Sequence, residues 1–134
     1  MKEETLEEYL DKYNKIPENN WDLIRTIEMY KRSHGIEKDS QIYEDAGISK
    51  QTWSNAMSGK THPSVDFYVK ICLAMHLNES ESKELLFKGG YYLTSSNRRL
   101  TIIRYCIVNK IYSISEVDDM LRKNGYEPLT KKEY

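Results

Sequence analysis

The chain has 134 residues, of which 39% are hydrophobic and 31% are charged, and its formal net charge is −1. This length and composition are typical of one compact domain, with or without a small appended subdomain, and exclude a chain that is disordered throughout. No apolar run approaches the roughly twenty residues of a membrane-spanning helix, and the start MKEETLEEYL is acidic where a signal peptide is basic and then apolar. The sequence therefore predicts a cytoplasmic protein that does not contact a membrane.

The N-terminal segment, residues 1–19, is predicted to contain an amphipathic helix that ends before Pro17. A stripe of apolar side chains recurs at steps of three and four on an otherwise charged segment, at Leu6, Tyr9, Leu10 and Tyr13. The acidic residues beside this stripe are typical of a solvent-facing helix surface.

A second helix is predicted to begin at Asn20, whose side chain can cap it, and to end near His34 and Gly35. Its apolar residues recur every three positions and are expected to be buried: Trp21, Ile24, Ile27 and Tyr30.

The segment 46–64, AGISKQTWSNAMSGKTHPS, predicts the end of one helix, a tight corner and a second helix. Gly47 supplies the backbone conformation that ends the first helix, and Ser49 can cap the next one. Gly59 then acts as the stop signal of the second helix, and Ser64 as the cap of another.

Two further helices are predicted before a glycine pair, over residues 65–76 and 79–88. The first has a broad apolar face made of Tyr68, Val69, Ile71, Cys72 and Met75. Cys72 and Cys106 are too few for a disulfide scaffold and are predicted to be reduced core residues.

Residues 91–129 are predicted to form a helical extension after a linker at 94–97, followed by a polar tail at 130–134. Ser113 and Glu116 match a capping box before the last helix. The apolar residues of the two helices need cover, either from a second copy of the chain or from the rest of the same chain: Ile102, Ile103, Cys106, Ile107, Ile111, Val117, Met120 and Leu121.

The run 38–77 resembles the phage-repressor helix-turn-helix of the Cro/cI or XRE family, with Gly59, Lys60, Pro63 and Ser64 matching its Gly-Lys-x-x-Pro-Ser element. Residues 85–129 are similar to a helical extension of helix-turn-helix proteins from Gram-positive bacteria and their mobile elements. The resemblance implies an all-α fold: a five-helix repressor-like domain at 20–90, preceded by the N-terminal helix and followed by a two-helix extension that is a candidate for dimerisation.

Three positions depart from the family pattern. Tyr43 replaces a small alanine and Trp53 an aliphatic residue, and the small Ala46 and Ala56 can offset their volume. Asp39 stands where the family has a phosphate-binding glutamine, and a carboxylate that faces DNA repels the backbone. Trp53 falls on the inward side of its helix and is predicted to be a core residue rather than a base-stacking one.

By this resemblance the helix after Gly47 reads DNA in the major groove. Base contacts are expected from Lys50, Gln51, Ser54 and Asn55, because Lys can reach guanine acceptors and amides can pair with adenine. Phosphate contacts are expected from Ser49, Thr52, Ser58, Lys60 and Thr61. The resemblance thus implies a sequence-specific transcriptional regulator, a repressor that binds double-stranded DNA as a homodimer.

The charge distribution keeps a different class of function open. Residues 1–20 carry a net charge of −3, residues 21–77 are neutral and residues 78–134 carry +2, so a monomer has few cations for phosphates. The alternative is a protein-interaction module, such as an antitoxin, an anti-repressor or a phage-defence component, which keeps the helix-turn-helix as a scaffold and binds a protein through its tyrosine-rich surface or its extension.

The sequence favours neither an enzyme nor a cofactor. No phosphate-binding glycine loop and no nucleophile beside a base is found. Cys72 and His76 are spaced as two metal ligands on a helix would be, but packing explains them better, so no metal site is predicted.

Overall fold

A computed structural model describes residues 5–8, 18–93 and 97–130. The secondary structure of these residues is helical, which confirms the predicted all-α class. Seven helices lie between residues 18 and 123: α1 (Glu18–Ser33), α2 (Asp39–Asp45), α3 (Lys50–Met57), α4 (Val65–Ala74), α5 (Glu79–Lys88), α6 (Arg98–Val108) and α7 (Ile114–Lys123).

The predicted N-terminal helix lies largely outside the described residues, which exclude Tyr9, Leu10 and Tyr13. Residues 6–8 are helical, and the side chain of Leu6 is exposed. Most of the predicted linker (94–96) and of the polar tail (131–134) is likewise outside the described residues. No helix in the described ranges combines the length and the apolar character that a membrane span requires.

The buried face of α1 confirms the prediction for Ile27 and Tyr30 and contradicts it for Trp21 and Ile24. Trp21 is 60% exposed and Ile24 is 39% exposed, whereas Leu23, Ile27 and Tyr30 are buried. A repeat of three residues drifts by about 60° per step around a helix of 3.6 residues per turn. Over the three steps from position 21 to position 30 the drift is half a turn, so Trp21 lies opposite Tyr30. The predicted cap is also wrong, because α1 begins two residues before Asn20.

Helix α1 packs antiparallel against α5, with polar contacts along the pair. The hydroxyl of Tyr30 donates to Glu84 Oε2 at 2.8 Å, and His34 Nε2 lies 3.0 Å from the carboxylate of Glu81. At the other end of the pair, Lys88 Nζ is 3.7 Å from Asp22 Oδ2. These contacts fix α1 against the core through α5.

A single apolar core runs from α1 to the residues after α7. The predicted apolar face of α4 is buried in it, and so are Ile103, Cys106 and Ile107 of α6. These side chains of the extension are therefore covered by the rest of the same chain and do not need a second copy to cover them. Tyr105 and Val108 stay about half exposed on the outer side of α6.

Two polar contacts stabilise the extension, and the first of them ties it to α4. Arg99 at the start of α6 forms a bidentate ion pair with Asp66 at the start of α4, with N–O distances of 2.7 and 2.9 Å. At the start of α7, Ser113 caps the helix by accepting from the backbone N–H of Glu116 at 3.3 Å. The ion pair between Arg99 of α6 and Asp66 of α4 ties the extension to the domain that contains the α2–α3 corner.

Both cysteines are buried, and this arrangement gives a simple chemical test. Burial raises the pKa of Cys72 to about 12 and also raises the pKa of Cys106. Because the thiolate is the reactive form, we expect both thiols of the folded chain to resist a disulfide reagent at pH 8 and to react fully in denaturant. Rapid labelling of either cysteine in the folded chain would contradict the core described above.

Candidate nucleic-acid interface

The corner between α2 and α3 is formed by local backbone chemistry. Gly47 has a φ of +69°, a value that side chains disfavour, and the N–H of Ile48 donates to the carbonyl of Tyr43 at 2.8 Å. Ser49 then caps α3 by accepting from the N–H of Thr52 at 3.1 Å. The roles predicted for Gly47 and Ser49 are confirmed.

Helix α3 has one buried side and one polar side. Trp53 and Ala56 are buried, whereas Lys50, Gln51 and Ser54 are exposed. Asn55 is partly exposed, and its Oδ1 accepts from Gln51 Nε2 at 3.0 Å. The described part of the chain therefore leaves the predicted base-contacting side chains on one open surface, with two amides aligned along the helix.

The residues predicted to contact phosphates border the same surface. Ser49, Thr52 and Ser58 are exposed on or next to α3, and Lys60 and Thr61 are exposed in the following loop. The hydroxyl of Ser49 lies 2.8 Å from that of Thr52. Lys50 and Lys60 lie on α3 and its following loop, and Lys70 and Asp66 of α4 line the same cleft as Thr52 and Thr61, so the described part of this surface is only mildly positive.

The loop after α3 is held in position by a residue of the chain beyond α5. The Tyr91 hydroxyl donates to the Pro63 carbonyl at 2.7 Å, and its ring stacks at 6.3 Å on the ring of His62. On the α3 side, the N–H of Lys60 donates to the Asn55 carbonyl at 2.9 Å. The loop that carries Lys60 and Thr61 is thus attached at both ends. No sequence spacing indicated the contact with Tyr91, because it joins positions 28 residues apart.

Trp53 anchors α3 to the core. Its ring lies 5.9 Å from that of Tyr43 and 6.4 Å from that of Phe67, measured between ring centroids. The small Ala46 and Ala56 are buried nearby in the same core. This packing confirms the core assignment of Trp53 and agrees with the expected exchange of volume between large and small residues.

Asp39 does not act as a free carboxylate, contrary to the expectation that it faces and repels DNA. Its Oδ1 accepts from Lys31 Nζ at 2.6 Å and its Oδ2 accepts from Trp53 Nε1 at 3.3 Å. The carboxylate is 43% exposed, whereas the Lys31 side chain is only 10% exposed. Asp39 therefore pairs with a buried cation that it shares with Glu28, and it also accepts from the indole N–H.

The protonated form of Lys31 is stabilised at this position. Burial lowers the pKa of Lys31, but the hydrogen bonds to Asp39 and Glu28 raise it by more, so the net shift is upward. Lys31 thus stays charged at neutral pH and keeps Asp39 in place.

Cys72 and His76 do not come together as ligands. The Cys72 thiol is buried in the core, whereas His76 is exposed and stacks on Tyr112 at 4.5 Å between ring centroids. Within the described residues, no three His, Cys, Asp or Glu side chains gather in a group that could hold a metal ion.

Comparisons of the chain with protein-family models, with curated proteins and with solved structures gave no match. The exposed surface of α3 and its surroundings is therefore the basis on which a function can be proposed.

Removing the carboxylate of Asp39 tests the link between Lys31 and Trp53. We expect Asp39→Ala to lower the free energy of unfolding by about 1–3 kcal/mol, because it leaves a buried ammonium and a buried indole N–H short of an acceptor. The matched control is Asp45→Ala at the exposed end of α2, for which we expect a change within about 0.5 kcal/mol. Denaturant unfolding followed by tryptophan fluorescence measures both, and equal effects of the two variants would contradict the role assigned to Asp39.

Proposed function

We propose that this protein is a sequence-specific double-stranded DNA-binding regulator, a repressor that acts in the cytoplasm and binds its site as a dimer. The observation that carries the proposal is the exposed polar side of α3, on a helix whose opposite side is fixed in the core by Trp53 and Ala56. Rigid support of this kind is what base reading requires, because hydrogen bonds to base edges depend on position.

The dimensions of α3 suit a major groove. A helix with its side chains is about 10–12 Å in diameter, and a B-DNA major groove is about 12 Å wide and admits a helix. Gln51 and Asn55 are one turn apart, and each amide can make two hydrogen bonds to adenine. Lys50 at the start of the helix can donate to the acceptors of guanine.

Phosphate contacts position such a helix without reading sequence. The hydroxyls of Ser49, Thr52, Ser58 and Thr61 and the ammonium of Lys60 border the polar side of α3 and supply this function in the proposal. The pairing of Asp39 with Lys31 supports the proposal, because the carboxylate is held by contacts within the molecule instead of being an unpaired anion.

The small number of cations favours binding by two copies. Affinity for DNA rises with the number of phosphates that a protein neutralises, and the few described cations near α3 make a weak monomeric site. A two-fold dimer doubles these contacts and spaces two α3 helices by about one turn of DNA, roughly 34 Å.

A protein-interaction module is the second candidate, with an antitoxin, an anti-repressor or a phage-defence component as examples. Exposed aromatic side chains favour this candidate. The exposed rings of Phe87 and Tyr92 lie 5.8 Å apart, measured between their centroids. Trp21 is also exposed, and the residue after it, Asp22, pairs with Lys88, the residue after Phe87. Tyr105 and Val108 give the extension a further exposed apolar surface. These surfaces suit a protein partner rather than a nucleic acid.

Salt dependence separates the two candidates. We expect the affinity of the wild-type chain for random duplex DNA to fall steeply between 50 and 200 mM salt, because neutralised phosphates release counterions. A gel-shift titration measures it. An interaction module gives no shift at either salt concentration, and that result would exclude the regulator.

A second experiment tests the amide side chains of Gln51 and Asn55. It uses DNA sites that the wild-type chain selects from a pool of random duplexes. We expect Gln51→Ala and Asn55→Ala each to weaken binding to the enriched site by about 1–3 kcal/mol while leaving binding to random DNA unchanged. Asn109→Ala serves as the control, because this exposed amide lies at the end of α6. Unchanged affinity and unchanged footprints for both α3 variants would remove the base-reading assignment.

A further inference from the structure

A cleft of about 680 Å³ adjoins the polar surface of α3. Its lining comes from the α2–α3 corner at Gly47, from α3 and the loop after it at Thr52 and Thr61, from α4, and from Leu129 and Thr130 after α7. Thr52 and Thr61 are two of the side chains proposed to contact phosphates. The cleft therefore continues the phosphate-contacting border of the proposed interface toward α4.

Helix α4 contributes one of its faces to this cleft. Asp66, Phe67 and Lys70 follow one another at steps of one and three residues, and the i, i+3 and i, i+4 spacings from Lys70 place all three on one side of the helix. Side chains of a helix tilt toward its N-terminus. For Lys70 this is the direction of the start of α4, where the loop that carries Thr61 ends.

The acidic residue of this face is already paired. The Asp66 carboxylate accepts from both terminal nitrogens of Arg99, at 2.7 Å for Oδ1 and at 2.9 Å for Oδ2. The two side chains are only 21% and 19% exposed. A bidentate pair that is shielded in this way is a strong one, so both oxygens of Asp66 are committed to Arg99.

Lys70 is a cation of the cleft without an anion beside it. A carboxylate four residues before a lysine on a helix is its usual partner, but among the described residues neither Asp66 nor any other carboxylate forms an ion pair with Lys70. The Lys70 residue is also partly buried. Since Asp66 and Arg99 cancel each other, the ammonium of Lys70 gives this cleft a net positive charge.

We propose that this cleft receives a phosphate group of the DNA backbone, which Lys70 binds together with the hydroxyl groups of Thr52 and Thr61. An ammonium and two hydroxyl groups on one cleft supply the charge and the donors that phosphate oxygens accept from. The inference rests on the proposed function and adds a cation from α4 to its site. It also assigns a positioning role to Arg99 of the extension, because the pair with Arg99 keeps Asp66 from competing with the phosphate for Lys70.

The test compares the salt dependence of DNA binding by the wild-type chain, by K70Q and by K70R. Each phosphate contact contributes about 0.9 to the slope of log affinity against log salt concentration. We expect K70Q to reduce the slope by about 0.9 per bound copy, so that the loss of affinity between 50 and 200 mM salt becomes about 3.5-fold smaller for each copy. The reduction should be equal for an enriched site and for random duplex, because phosphates carry no sequence information. We expect K70R to keep the wild-type slope, because it keeps the charge.

The matched control is K83Q, which removes the same charge from α5 at an exposed lysine that lies outside the cleft and pairs with Glu79. We expect its slope to equal that of the wild-type chain. Wild-type binding with an unchanged slope in K70Q would overturn this inference and leave the proposed function standing. A slope that falls equally in K70Q and K83Q, or equally in K70Q and K70R, would also overturn the inference. A wild-type chain that binds no DNA at 50 mM salt would overturn both the inference and the proposed function.

Discussion

The position of α3 depends on the burial of one indole ring and on the partner of its N–H. Trp53 fills the space between Tyr43 and Phe67, and its N–H donates to Asp39, which in turn holds the ammonium of Lys31. A buried N–H without an acceptor costs about 1–3 kcal/mol, so the chain of contacts from Lys31 to Trp53 favours one orientation of α3. Because α3 is held from its inner side, its outer side is left for polar residues that have no packing role.

Two residues that depart from the repressor pattern therefore explain each other. In the family pattern, position 53 holds an aliphatic residue without an N–H, and position 39 holds an uncharged glutamine. In this chain the two positions hold Trp53 and Asp39, and the indole N–H donates to the carboxylate. The carboxylate also compensates Lys31, which is almost fully buried. Asp39, which was expected to repel DNA, therefore stabilises the position of the helix that is proposed to bind DNA.

Local signals predicted much of the fold. The glycine at position 47, the cap at Ser49 and the apolar face of α4 depend on neighbours within one or two turns, and each was found where the sequence indicated. The buried side of α1 was predicted correctly at Ile27 and Tyr30 and wrongly at Trp21 and Ile24, because a spacing of three residues follows a helical stripe over one turn and drifts off it over three.

Contacts between distant positions were beyond such signals. The partners Arg99 and Asp66 are 33 residues apart, and Tyr91 and Pro63 are 28 apart. No periodicity marks such pairs, because they form only when separate helices pack. For the same reason the positions of Leu129 and Thr130, which line a cleft together with Ala46 and Gly47 of the α2–α3 corner, could not be predicted from the sequence.

The polar side of α3 is the surface proposed to meet DNA. Backbone hydrogen exchange of the wild-type chain, with and without an excess of duplex DNA at low salt, tests it directly. We expect slower exchange on DNA addition in peptides that cover α3 and the loop at 58–64. Protection confined to the outer faces of α1 and α5, or no protection anywhere, would contradict it.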